Sequence, residues 1–234
     1  MDRRPFSQEG LKLVACGAML LDHIGAYLFP QYILLRVIGR LAFPIYCFLL
    51  TEGICRSKAP GKYLLRMLLC AVLSELPFDL CHGGSFSWQQ QSVMVTLTLG
   101  LLMGLMMKKL PPAVKPLAVL PFALAAQLLK SDYGAMGIVI IALFLLTQQL
   151  PKAILLQSLS LFLIFLVFRA VPLQFFALAA MLPIALYSGR KTVSSPAVRW
   201  SFYLFYPAHL LILWLIRELS AGATVGCGIF NPGW

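Results

Sequence analysis

The sequence predicts an all-α fold, a polytopic transmembrane helix bundle of about nine spans enclosing a tunnel, built as a single domain over residues 1–234. Three observations predict it. Hydrophobic residues make up 60% of the chain and charged residues only 12%, roughly half the charged share of a soluble domain. Successive apolar runs reach the length of about 17–25 residues that crosses a hydrocarbon core. The Lys and Arg residues between the runs fall almost entirely on alternate connections, as the orientation of membrane helices requires.

In chain order the runs lie at 11–29, 33–54, 62–80, 93–110, 114–130, 133–150, 153–171, 172–188 and 200–219. The stretch 153–188 carries Arg169 and Pro172 and reads either as two short spans or as one span with a re-entrant piece. The N-terminal MDRRPFSQEG is polar and shows no small-residue cleavage site, so the first run is expected to be retained. One set of connections holds Arg3, Arg4, Lys12, Arg56, Lys58, Lys62, Lys108, Lys109, Lys115, Lys152, Arg190, Lys191 and Arg199. The other holds only Arg36, Lys130, Arg169 and Arg217. The positive-inside rule then puts the N-terminus in the cytoplasm and the C-terminus outside, in the inner (cytoplasmic) membrane. This distribution also explains the net charge of +11 without a nucleic-acid partner, because the cations share no soluble face. The six cysteines have no metal-ligand spacing, and no metal is expected. Cys81 and Cys227 fall in connections on the same side, where a disulfide stays open.

Ionisable residues inside apolar runs are the functional signal. A charge at membrane depth costs several kcal/mol unless it meets other polar groups or a water-filled cavity. Asp22, His23, Arg36 and Arg40 lie within the first two runs, and Glu75 and Asp79 within the third. At 1.5 Å per residue His23 sits about 18 Å from the inner end of its run, at a depth close to those of Arg40 and Glu75. His23 is the candidate general base, oriented by Glu75 or Asp79, the alternative being a histidine that only bonds across helices. Arg40 is a candidate oxyanion donor, whereas Arg36 either binds substrate or snorkels to the interface. Pro77 is expected to break its helix between the two carboxylates. Glu52 lies near the inner end of its run and either serves a site or pairs with Arg56 or Arg66. Asp132 reads as a helix N-cap or a substrate ligand beside Tyr133. His209 lies one turn from Tyr206, and both are expected to face the same cavity as Tyr203. Arg56, Lys58, Lys62 and Lys109 on the inner turns are explained by topology alone, or form a collar for an anionic, nucleotide-like donor. Neither a phosphate-binding G-x-x-x-x-G-K loop nor a G-x-S-x-G elbow is present.

The segments LKLVACGAMLLDHIGAYLFP, LLRVIGRLAFPIYCFLLTEG, KYLLRMLLCAVLSELPFDL, VMVTLTLGLL, SDYGAMGIVI and FYLFYPAHLLIL, in that order, resemble the TraX family of polytopic membrane proteins. That family is similar in turn to transmembrane acyltransferases such as the lysosomal heparan glucosaminide N-acetyltransferase. The resemblance implies an acetyltransferase that uses cytoplasmic acetyl-CoA, with an acceptor amine or hydroxyl on a protein, glycan or lipid, a pilin N-terminus being the family's association. It carries over onto Asp22, His23, Arg40, Glu52, Glu75, Asp79, Asp132, Tyr133 and His209. His23 is then expected to act as base or to be transiently acetylated, and Arg40 to stabilise the oxyanion. A proton-coupled transporter and a non-catalytic membrane assembly partner are the rival readings, and a homodimer stays open.

Overall fold

The computed structural model describes residues 5–148, 153–190 and 195–224, with the backbone alone over 221–224. Helix α1 (Gln8–Tyr27) starts at Ser7, whose Oγ accepts from the Gly10 N–H at 3.1 Å. A short connection reverses the chain into α2 (Ile33–Gly39), and a helical turn through Arg40 and Leu41 leads directly into α3 (Ala42–Arg56). Helix α4 (Pro60–Gly83) opens with proline in its first turn and ends at Gly84, whose φ of 70° is the left-handed stop that glycine supplies without strain. It runs straight through Pro77, so the break expected there is absent. Helix α5 (Val93–Met107) follows, then a 3₁₀ segment (Pro112–Ala118) that passes into α6 (Val119–Leu128), then α7 (Gly134–Thr147). Next come α8 (Ala153–Val167), a second 3₁₀ segment (Pro172–Ala180) joined to α9 (Met181–Ala185), and the long α10 (Pro196–Thr224). No strand occurs among the described residues, apart from two isolated bridges.

Each predicted run is helical, and the all-α class is as expected, but helix lengths do not establish nine spans or a tunnel. Among the described residues, Ile33–Arg56 and Pro196–Ser220 are long and apolar enough to cross a membrane. The other apolar helices have 10–17 residues, and 15 residues reach only about 22 Å against a core of about 30 Å. Helices α1 and α4 have the length, at 20 and 24 residues, but carry ionisable residues. The physical reason for the short pieces is local: Pro112 and Pro172 each start a 3₁₀ segment, which shortens the α-helices of the runs expected at 114–130 and 172–188.

The exterior is that of a membrane protein. Leu65, Leu69, Val72 and Leu76 make an exposed stripe on α4, Leu120, Leu124 and Leu128 another on α6, and Leu155, Leu159, Phe162 and Leu166 a third on α8. Contiguous apolar faces of this extent are not left in water by soluble monomers. Inside, Ile138, Ile141 and Phe144 of α7 pack on Ile45 and Ile54 of α3 and Leu101 of α5 in one core. Gly100 and Gly104 bring α5 close enough that a Cβ would collide with Ile141 and Ile54, the small-residue contact typical of membrane helices.

Among the described glycines, Gly39 marks the closest approach, of α2 to α1. A Cβ on Gly39 would overlap the side chain of Asp22, whereas one on Gly17 would meet nothing within 4 Å. Gly39→Ala is therefore expected to cost about 1–3 kcal/mol and to lower the thermal midpoint in detergent. Gly17→Ala should leave it unchanged or raise it; equal midpoints for the two variants would contradict this packing.

Candidate functional site

Asp22 is the centre of a buried ionic cluster. Arg40 Nη2 donates to both its carboxylate oxygens at 2.6 Å, and Arg36 Nη1 donates to Oδ2 and to the Asp22 carbonyl, each at 3.1 Å. The i, i+4 spacing of the two arginines on α2 makes this chelation possible, because both face α1 across Gly39. Arg36 therefore holds Asp22 instead of snorkelling. Arg40 also donates through Nη1 to Gln174 Oε1 at 3.4 Å, which leaves its buried Nε without a partner. A guanidinium so occupied is a structural clamp, and the oxyanion role expected of Arg40 finds only that buried Nε available.

One residue along α1, His23 meets His209 of α10. Their rings lie nearly parallel, 9° between planes at a centroid distance of 4.9 Å, and His23 Nδ1 lies 2.6 Å from His209 Nε2. The direction of this bond follows from its other end. His209 Nδ1 lies 2.7 Å from the Phe205 carbonyl, which can only accept, so that nitrogen carries the proton. Neutral His209 then accepts at Nε2 from His23 Nδ1–H, and the lone pair of His23 is left on Nε2. That is the protonation state a base or nucleophile needs. Tyr206 stands edge-on to both rings, at 6.1 Å from His23 and 5.6 Å from His209.

The carboxylates expected to orient His23 are engaged elsewhere. Glu75 accepts from the Ser92 hydroxyl at 2.6 Å and its N–H at 3.2 Å, and Asp79 accepts from the Ser87 N–H at 3.0 Å. Both fasten the loop between α4 and α5. His209 takes the place given to them. The third histidine of the chain joins the same neighbourhood, since His82 Nδ1 lies 3.0 Å from the Tyr27 hydroxyl and the Tyr27 ring is 5.7 Å from His23.

A cavity of about 520 Å³ lies between α1, α3, α4, α5 and α10; Tyr203 and Tyr206 line it, whereas His23 and His209 do not and stand behind the Tyr206 ring. One end is lined by Tyr206 and Tyr46; the other is lined by Lys12, Arg56, Lys58, Lys62, Arg66 and Arg199. Arg66 lies over the Tyr203 ring at 5.9 Å, and Lys12 over Phe202 at 5.1 Å. Glu52 lines the wall and is 4% exposed. It pairs with Arg56 at 2.9 Å, accepts from the Tyr187 hydroxyl at 3.1 Å and bonds Gln148. Arg56, and not Arg66, is thus its ionic partner. Lys109 does not line this cavity.

Asp132 and Tyr133 lie on the opposite side of the charged cluster. Helix α7 starts one residue later than expected: Tyr133, at φ 64°, is its N-cap, and Asp132 Oδ1 accepts from the Tyr133 N–H at 3.0 Å. Asp132 is therefore not the cap. Burial pushes its carboxyl up to about 6, against the pull of the Arg40 guanidinium. The Tyr133 ring stacks on Phe43 at 3.7 Å. Cys81 has a free thiol that donates to the Leu210 carbonyl at 3.1 Å, and Cys227 lies outside the described residues.

Sequence reasoning missed Gln174, Tyr27 and His82, and named Arg66 only as a partner for Glu52 and not as a residue of the cavity. A lone amide in the apolar run 172–188 was a readable signal for Gln174. Nothing in the sequence placed His82 beside Tyr27, because the apolar run was expected to end at residue 80, two residues before it, whereas α4 continues through His82.

The model of the TraX protein family matches residues 7–217. The chain is 33% identical over 235 residues to the probable fimbrial assembly protein FimC, serogroup H1, of Dichelobacter nodosus, covering 89% of this chain and 94% of that protein. It is also 51% identical over 41 residues, 18% of this chain and 16% of the relative, to the uncharacterized protein RP591 of Rickettsia prowazekii (strain Madrid E). No solved structure matches. With nine-tenths of its length matched by one family model and its apolar exterior in place, the chain is a member of the TraX family.

Proposed function

We propose that this protein is a multi-pass inner-membrane acetyltransferase that moves an acetyl group from cytoplasmic acetyl-CoA to an amine or hydroxyl at the outer side, on a pilin N-terminus or an envelope glycan. One observation carries the reading: a single cavity has a mouth of six cations and ends at a tyrosine packed on a histidine whose free lone pair is fixed by a second histidine. That sequence of groups suits a long donor with an anionic head and a narrow arm. The similarity to a probable fimbrial assembly protein supports an envelope role.

In this reading the acetyl-CoA thioester supplies the activated acyl group. Arg56, Lys58 and Lys62 attract its phosphates together with Arg66, while Glu52 and the Gly189 carbonyl, 2.7 Å from Arg56 Nη1, fix the guanidinium that faces them. Lys109 leaves the donor set. His23 Nε2 takes the proton of the acceptor, and His209 keeps the opposite nitrogen engaged so that the reactive one stays unprotonated. Arg36 and Arg40 hold Asp22, and through α1 they set the position of His23. The basic mouth is also the side that charge bias places in the cytoplasm, so the donor and the N-terminus share a compartment. A non-catalytic assembly partner is the second reading, favoured by the name of the fimbrial relative; it gives the cavity no ligand.

Coenzyme A at 100 times its dissociation constant should stabilise the purified protein by about 2.7 kcal/mol, read as a rise in melting temperature. The double substitution Lys58→Glu, Lys62→Glu should remove the rise. No shift in the native protein would rule out the donor site and leave the assembly reading. Separately, His23→Ala is expected to lower acetyl transfer by about 10²–10⁴-fold, the worth of a general base, while keeping the coenzyme A shift. Transfer at the native rate in that variant would remove His23 from the mechanism.

A further inference from the structure

A second cavity, of about 370 Å³, opens beside the charged cluster on the side away from the basic mouth. Its size is that of a small-molecule site, and its chemistry differs from that of the donor cavity. Gln89 and Gln90 come from the loop after α4, Gln127 and Lys130 from the end of α6, and Asp132 and Tyr133 from the connection into α7. Its one aliphatic side chain is that of Ala126, so nothing in it suits a lipid chain.

The floor is a fixed piece of backbone. Gln91 N–H donates to the Lys130 carbonyl at 3.1 Å and Asp132 N–H to the Gln91 carbonyl at 2.8 Å. Thr96 of α5 bonds the Asp132 carbonyl, and the Phe43 stack anchors Tyr133 to α3. Lys130 and Tyr133 both have positive φ, 52° and 64°, a conformation that non-glycine residues hold at some cost when the surroundings impose it. Asp132 and Tyr133 stand within electrostatic reach of Arg40 and Asp22, so the pocket adjoins the ionic cluster.

Two features select the ligand class. A peptide docking by strand addition needs an open backbone edge, but the edges at Gln91 and Ser131 are already paired with each other. Three glutamine amides offer donors and acceptors side by side, which matches ring hydroxyls that both give and take hydrogen bonds. The same loop also presents Trp88, 76% exposed, edge-on to exposed Phe86 at 5.3 Å, a flat apolar surface for the C–H face of a pyranose. We infer that this pocket is a saccharide site, holding the sugar of the acceptor with Gln90 and Asp132 as ligands. The inference rests on the proposed transfer to the outer side and selects the glycan among its acceptors.

The test is a saturation-transfer NMR titration of the full-length protein in detergent, with glucosamine and triglycine as probes. Glucosamine should bind, and Asp132→Asn and Gln90→Ala should each weaken it about 5–10-fold, the effect of one hydrogen bond. Both variants should keep the native thermal midpoint; Gln90 is an exposed loop residue whose loss does not threaten the fold. Triglycine bound as tightly as glucosamine, glucosamine binding indifferent to both substitutions, or no glucosamine binding would each overturn the assignment. Glucosamine bound in a protein that shows no coenzyme A shift would uphold the sugar site and discard acetyl transfer.

Discussion

A carboxylate taken out of water must be answered by cations at hydrogen-bonding distance, and Asp22 is answered twice. The arrangement of α1 against α2 follows from that requirement. Removing an ion from water costs several kcal/mol even after relaxation, so the two arginines must reach Asp22, and only an α-carbon without a side chain at Gly39 lets the helices come that close. Because His23 follows Asp22 in the same helix, clamping the acid also fixes the azimuth of the imidazole. The ionic cluster is a mount for that imidazole.

Polarity is layered along the molecule. Cations line one mouth, the histidine pair and its tyrosines occupy the interior, and amides line the opposite pocket. Glu52, Glu75 and Asp79 belong to the ends of this series: Glu52 steadies the cationic mouth, and the other two pin the loop that carries Gln89 and Gln90. Glu75 and Asp79, which looked catalytic from their spacing, thus share one structural job and Glu52 has another, and each has its hydrogen-bond partners in place.

The charged layer was legible in the sequence because lipid penalises unpaired ions, so Asp22, Arg36 and Arg40 had to find one another. The family was legible too, from DHIG, GRLAFP and SELPFD in order. Which acid faces which base was not. Depth follows from counting residues, but azimuth depends on how α4 rotates against α1 and α10, and Ser87 and Ser92 captured the carboxylates first. Helix boundaries failed for a different reason: Pro112 and Pro172 start 3₁₀ segments that take up the heads of the runs expected at 114–130 and 172–188. Hydropathy reports burial in lipid and is blind to the pitch of the backbone.

The two hydrogen-bonded imidazoles come from opposite ends of the polypeptide, 186 residues apart. During synthesis the first ring enters the bilayer long before its companion leaves the ribosome. Until α10 docks, nothing holds the first imidazole in a defined tautomer, so an incompletely inserted chain has no competent pair. The histidine pair is therefore assembled only when α10 is in place, which makes the docking of that helix the step that completes this cluster.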